Sequence, residues 1–207
     1  MTPLPSWLDW AQRLQAIAQN GLAFSPNPYD RLRYEDVLEI VHEMLGAQTG
    51  GDPIAFETLF GVEKGYATPK VDVRGVVFQE NRVLLVKERS DQRWTLPGGW
   101  ADVGLSVRQV VEKEIHEESG YETRADRLLA VYDMRRHDHP PYAHHVYKVF
   151  VACTIIGGAP THSLETEGVD FFALDALPEL SLPRVTPAQI ARFFALRDTP
   201  HAPVDFD

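Results

Sequence analysis

Three glutamates, Glu114, Glu117 and Glu118, fall three and four positions apart in a run that reads as helical from about Ser106 to Ser119 (SVRQVVEKEIHEES). At about 100° per residue they project within a sector of roughly 100°. Val107, Val110 and Val111 belong to the same side, one to two turns earlier, so the stripe begins apolar and ends in carboxylates. A solvated acidic face would lie opposite the apolar stripe rather than continue it. The acids also gather toward the helix C-terminus, the negative pole of its dipole. Held together there they need compensation, and a hard divalent cation with oxygen ligands is its natural form. A partly exposed acidic patch at a helix end is the alternative that spacing alone leaves open.

The elements that position this run are marked in the sequence. Ser106 and Gln109 form a capping box, and Gly120 takes the C-terminal position. Gly98-Gly99, ahead of the helix, permits close backbone approach, so a peptide carbonyl can add an oxygen ligand. From Lys70 onward Val71, Val73, Gly75 and Val77 alternate with Asp72, Arg74 and Val76, and Glu80-Asn81 turns into the apolar run 83–86 as a hairpin. Further strands are expected around 128–132, 146–155 and 169–173. A last helix opens at Thr186-Pro187-Ala188-Gln189, with Ile190, Phe193, Phe194 and Leu196 facing inward.

The N-terminal third is helical in pattern. Trp7, Trp10, Ala11, Leu14, Ile17 and Ala18 recur at helical spacing, with Asn20-Gly21 as a stop. Tyr34, Val37, Leu38, Val41, Met44 and Leu45 mark a second run, expected to break at Gly46 and over 48–53. Such short helices bury little surface alone and need a second chain or the rest of this one to pack against. With 61–69 as a linker, the expectation is a helical domain over 1–66 and an α+β domain over 67–207.

The 207 residues carry 44% hydrophobic and 24% charged side chains, which suits a packed soluble chain. A formal charge of −10 disfavours nucleic acid as a partner. The single cysteine, Cys153, cannot close an intrachain disulfide and sits in an apolar run, as expected of a core residue in the cytoplasm. No signal-peptide pattern and no membrane-length apolar run is seen, so no membrane association is expected.

The run 99–121 (GWADVGLSVRQVVEKEIHEESGY) resembles the Nudix box, G-x5-E-x7-R-E-U-x-E-E-x-G-U, with U an aliphatic or aromatic residue. Gly99, Glu114, Ile115, Glu117, Glu118, Gly120 and Tyr121 are in register, and Trp94-Thr95-Leu96-Pro97-Gly98 looks like that family's strand-to-loop entry. Two positions depart: Leu105 stands at the first glutamate and Lys113 at the arginine. Leu105 can neither ligand a metal nor pair with a cation, and Lys113 keeps the charge but loses the bidentate fork. Asp102 keeps one acid in the loop. The stretch 14–34 (LQAIAQNGLAFSPNPYDRLRY) is similar to the helical N-terminal domain of Nudix enzymes acting on X-linked nucleoside diphosphates, a branch of ADP-ribose and CDP-choline pyrophosphatases.

The resemblance implies an α/β/α sandwich around a mixed sheet, a homodimer, and magnesium (with manganese as an alternative) held by Glu114, Glu117, Glu118 and the Gly99 carbonyl. It implies hydrolysis of the pyrophosphate bond to a nucleoside monophosphate and phospho-X. Glu117, or Glu165 or Glu167 from a later loop, is the candidate base. Arg74, Lys87 and Arg89 are candidates for the diphosphate, and Arg184 is a weaker one. The loop 135–145 (RRHDHPPYAHH) lacks the thiolates or helical spacing of a structural zinc site; His145 is carried as a substrate contact. The competing readings are hydrolysis of nucleoside triphosphates or RNA ends, and a non-catalytic nucleotide-sugar sensor, which would have no need to keep all three glutamates.

Overall fold

In the computed structural model, which describes residues 5–49, 64–161, 163–199 and 201–207, the first helix outruns its expected stop. α1 (Ser6–Phe24) passes through Asn20-Gly21, and α2 (Pro28–Thr49) passes through Gly46. Gly21 is interior because a Cβ there would stand 2.3 Å from the Tyr34 ring. It is a helix-crossing glycine, and the contact offsets the roughly 1 kcal/mol that glycine costs inside a helix. The turn follows at Ser25–Asn27, where the Asn27 side chain accepts the Tyr29 N–H at 2.9 Å. Leu8, Ala11, Val41 and Leu45 form the small core, with Trp7, Leu14 and Ala143 against it. The expected stripe splits, since Trp10 and Ile17 are exposed: two helices share only one seam. The expected break at 50–53 and the linker residues 61–63 lie outside the described residues.

The chain divides into two compact units. The two helices group with Pro141–His145, and Lys70–Pro140 groups with Val146–Asp207.

In the second unit β1 (Lys70–Gln79) turns at Glu80, whose φ is 55°, into β2 (Arg82–Glu88). These strands pair only near the turn, Phe78 opposite Val83 and Gln79 opposite Arg82. β3 (Trp94–Thr95) continues from β2, and β4 (Gly98–Trp100) returns to the open end of β1, setting Gly98 opposite Arg74 and Trp100 opposite Asp72. Helix α3 (Val107–Ser119) follows, with its capping box formed and Gly120 left-handed at φ 78°. β5 (Tyr121–Asp133) pairs antiparallel with β6 (Val146–Gly158), which runs parallel to β1. β7 (Thr166–Phe172) joins β2, α4 (Pro187–Arg197) carries a second capping box, and β8 (Asp205–Phe206) lies parallel to β5.

The eight strands form one mixed sheet with a helix on each face. Val110, Val111 and Ile115 of α3 pack on Val73, Val77 and Leu84. Ile190, Phe193, Phe194 and Leu196 of α4 pack with Val76, Leu85 and Phe150. This is the α/β/α sandwich expected from the sequence. Gly75 lets α3 close onto β1, since a Cβ there would stand 2.5 Å from Ile115 Cδ1. Val107 departs from expectation: it is 40% exposed, because it lies on the first turn, ahead of the stretch packed on the sheet.

Candidate active site

Docking α3 on β1 brings its acidic end against the Gly98-Gly99 strand. Glu118 is 4% exposed, and its carboxylate accepts the Gly98 N–H at 2.8 Å. Burial pushes its pKa up to about 8, against the opposing pull of Arg74 and the Gly98 N–H, while Glu88 and Glu114 push further upward. A further positive charge is what would keep this group ionised at neutral pH. Glu114 is partly buried, raised by burial and relieved by Lys113. A Cβ on Gly99 would stand 2.9 Å from Glu114 Oε2, so only glycine leaves room for that carboxylate. Glu117 is exposed. The Thr166 hydroxyl donates to the Glu118 carbonyl at 2.6 Å and fixes β7 to the end of α3.

Lys113 lies among these acids, 3.3 Å from Glu114, 3.1 Å from Glu117 and 3.2 Å from Asp102. Among the described residues no group of three or more acid, histidine or cysteine side chains is gathered tightly enough to hold a metal ion as it stands; two of the helix carboxylates are turned onto Lys113. The donor set nonetheless suits a hard divalent cation, with carboxylate oxygens on one helix beside a backbone strand cleared by two glycines; the Lys113 ammonium bridging two of those acids marks where a positive charge is held among them.

Beneath the carboxylates runs a chain of alternating charge that the sequence did not reveal. Arg74 is buried, its Nε donating to Asp72 at 2.8 Å and its Nη1 to the Leu96 carbonyl at 3.1 Å. Lys148, 2% exposed, donates to the same Asp72. Burial pushes the Asp72 carboxyl up, but the two cations outweigh it and hold it below its ordinary value. The Arg74 guanidinium also lies in the field of Glu118 and Glu88. Glu88 in turn pairs with Arg184 at 3.1 Å, and Arg184 with Asp91 at 3.0 Å. Asp72 faces Lys148 only through the parallel β1–β6 register, which no local pattern announces.

Lys87, Arg89 and Glu167 come together. A bulge opposite Lys87 and Glu88 re-aims β7, and Glu167 meets Lys87 at 2.7 Å and Arg89 at 3.9 Å. The hydrogen bond from Lys87 holds Glu167 below the usual carboxylate range. Glu165 is exposed, and its carbonyl accepts the Arg89 N–H at 2.8 Å. His145 belongs to Pro141–His145, the segment grouped with the helices. Of the other loop histidines, His139 is tied by both ring nitrogens to Leu182 and Gln189, and His137 meets Asp207 at 3.1 Å. Trp94 packs edge-on against Phe172 at 4.7 Å, a packing role.

Comparison with known proteins adds to this geometry. The model of a NUDIX domain matches residues 68–195, and that of a UDP-X-like, N-terminal oligomerisation domain matches residues 5–60. YjhB of Bacillus subtilis (strain 168), which bears the provisional name ADP-ribose pyrophosphatase, is 48% identical over 201 residues, 97% of either chain. Among solved structures, a UDP-X diphosphatase is 33% identical over 98% of either chain with a TM-score of 0.64. An ADP-ribose pyrophosphatase from Streptococcus suis 89-1591 is 41% identical over 68% of this chain and 100% of that one, with a TM-score of 0.63.

Proposed function

The chain belongs to the Nudix hydrolase family, and on that footing we propose that it cleaves the pyrophosphate bond of a nucleoside diphosphate linked to a second group X, of ADP-ribose or CDP-choline type, releasing a nucleoside monophosphate and phospho-X. The observation that carries this reading is the setting of Glu118 and Glu114 against Gly98-Gly99, with Glu118 driven up to about 8 by burial. Glu114, Glu117, Glu118 and the Gly99 carbonyl are the ligands we assign to magnesium, or to manganese in its place. Such an ion supplies neutralisation of diphosphate charge and orients the attacking water.

The chain's own groups do the rest. Lys87 and Arg89, both paired with Glu167, are the cations we assign to the diphosphate. Arg74, enclosed and already bonded to Asp72 and Leu96, serves the carboxylates from below. With Glu117 assigned as a ligand, the proton of the attacking water goes to Glu165, which is exposed; Glu117 is the base only if it is not a ligand. Glu167 is a poor base while Lys87 and Arg89 hold it ionised.

ADP-ribose leads among substrates, because the relative spanning 97% of the chain bears that name; CDP-choline rests on the resemblance of 14–34 to the helical N-terminal domain of that branch. A homodimer through the N-terminal helices is part of the same reading, supported by exposed Trp10 and Ile17 and by the oligomerisation domain matched there. Among the described residues no helix is long and apolar enough to cross a membrane; placement in the cytoplasm rests on the composition and the lone Cys153.

The test is product chromatography with magnesium over ADP-ribose, CDP-choline, UDP-glucose, 8-oxo-dGTP and a short RNA. Preference for an X-linked diphosphate, with nucleoside monophosphate as product, supports the reading. Preference for the triphosphate or the RNA overturns the substrate class, and silence with both magnesium and manganese overturns the enzyme assignment to this site.

A further inference from the structure

We propose that Lys113 is a built-in counter-ion that competes with the divalent cation for Glu114 and Glu117, and that Asp102 is the anchor onto which its ammonium moves when the cation takes those carboxylates. The proposal rests on the ligand assignment above. It starts from the two box positions that depart from the family pattern, Leu105 and Lys113. Leu105 is 38% exposed and offers Lys113 no charge. The acid that meets Lys113 comes from three residues earlier: Asp102 Oδ2 lies 3.2 Å from Nζ. Its place is set by backbone geometry, with the Leu105 N–H donating to the Asp102 carbonyl at 3.3 Å and Gly104 at φ 90° carrying the turn.

The other two partners of Lys113 are the candidate ligands themselves, Glu114 at 3.3 Å and Glu117 at 3.1 Å. An ammonium has three donors, and here each has one acid. Two of those acids are the ones a divalent cation would claim. The Lys113–Glu117 pair runs lysine to glutamate at i, i+4, the weaker orientation on a helix. All the pairs are at least partly exposed, so each is weak and can be exchanged. A divalent cation on Glu114 and Glu117 would repel the ammonium. Asp102, on the loop before α3 rather than on the helix, is the partner that remains. Lys113 and Asp102 are thus positioning residues, acting through Glu114 and Glu117.

The signs of the expected effects are opposite, which makes the test specific. Mn2+ binding to the full-length protein is titrated by electron paramagnetic resonance, with no substrate present. Lys113→Met removes the competitor and should tighten Mn2+ binding about threefold to tenfold, the yield of two exposed pairs. Asp102→Asn leaves the ammonium only the ligands to hold and should weaken binding by a similar factor. Removing an acid also lowers the local negative potential, and the double variant separates the two causes. In the Lys113→Met background Asp102→Asn should lose most of its effect.

Equal weakening by Asp102→Asn in both backgrounds would overturn the proposal, as would unchanged or weaker binding in Lys113→Met. Lys113→Arg and Asp102→Glu, which keep the charges, should stay near the parent affinity; a loss as large as that of Asp102→Asn in either contradicts an exchange of charge partners. Should Lys113→Met fail to fold by circular dichroism, Lys113→Gln takes its place. Glu118→Gln distinguishes the two layers of inference. If it binds Mn2+ as tightly as the parent, the ligand assignment fails and takes this proposal with it. If it loses the ion while the Lys113 and Asp102 variants leave affinity unmoved, only this proposal falls.

Discussion

Acidification should expose a single histidine as a stability switch in the sheet unit. His139 sits in the loop after β5, its Nδ1 2.6 Å from the Leu182 carbonyl and its Nε2 3.0 Å from Gln189 Nε2. The Gln189 side-chain oxygen is already taken by the Thr186 N–H in the capping box of α4, so its amide nitrogen must donate to His139. That fixes the neutral ring with the proton on Nδ1, since a proton on Nε2 would face another donor. Burial depresses the pKa to about 4, with Lys148 and His137 adding to the effect and the Leu182 carbonyl and Asp72 opposing it. An unfolded histidine titrates near 6.5, so between those values the unfolded chain binds a proton that the folded chain refuses. Stability from this site is therefore complete above about pH 6.5 and is lost as pH falls toward 4; from pH 7.5 to 4.5 the loss is about 2 kcal/mol. The assay is a histidine-ring NMR titration beside urea unfolding of the parent and His139→Gln at both pH values. The stability gap between the two proteins should narrow by about 2 kcal/mol on acidification. A ring titrating near 6.5, or a gap independent of pH, would refute the reasoning.

Asp72→Ala strands two buried cations, Arg74 and Lys148, and should cost about 3–5 kcal/mol in urea unfolding; a cost below about 1 kcal/mol would mean the pair relaxes into water. Gly99→Ala drives a methyl toward Glu114 and should lower turnover of the preferred substrate at least roughly tenfold, the yield of about 1.4 kcal/mol, with the melting temperature kept. Parent-level turnover would show that Glu114 need not lie there. In the helical unit, Gly21→Ala pushes a Cβ into the Tyr34 ring and should cost about 1–3 kcal/mol in thermal unfolding, although alanine is the better helix former. A stabilised variant would mean that α1 and α2 do not depend on close approach at this point.

What the sequence disclosed was what depends on near neighbours. Both capping boxes, the Gly120 cap and the Glu80-Asn81 hairpin are set by residues within four positions, and all stand where expected. The box glutamates were legible for the same reason. Gly21 looks like a stop in the sequence because its reason for being glycine is Tyr34, on another helix. Val107 shares the angular stripe of Val110 and Val111 but not their neighbours, and helical period carries no information about where the sheet begins. The Asp72–Lys148 pair needed the strand register, and the meeting of Glu167 with Lys87 needed a bulge. Asp102 is visible in the sequence as a loop acid, yet its contact with Lys113 depends on how the turn at Gly104 folds back on α3.

Turnover of ADP-ribose and CDP-choline by Glu118→Gln bears most directly on the hydrolase reading. The glutamine keeps an acceptor for the Gly98 N–H and removes a charge that burial disfavours, so the fold should survive with a melting temperature at or above the parent's. Hydrolysis should fall roughly a hundredfold or more, with nucleoside monophosphate release dropping in step. Parent-level turnover from a correctly folded Glu118→Gln protein would contradict the assignment of the α3 carboxylates to the reaction.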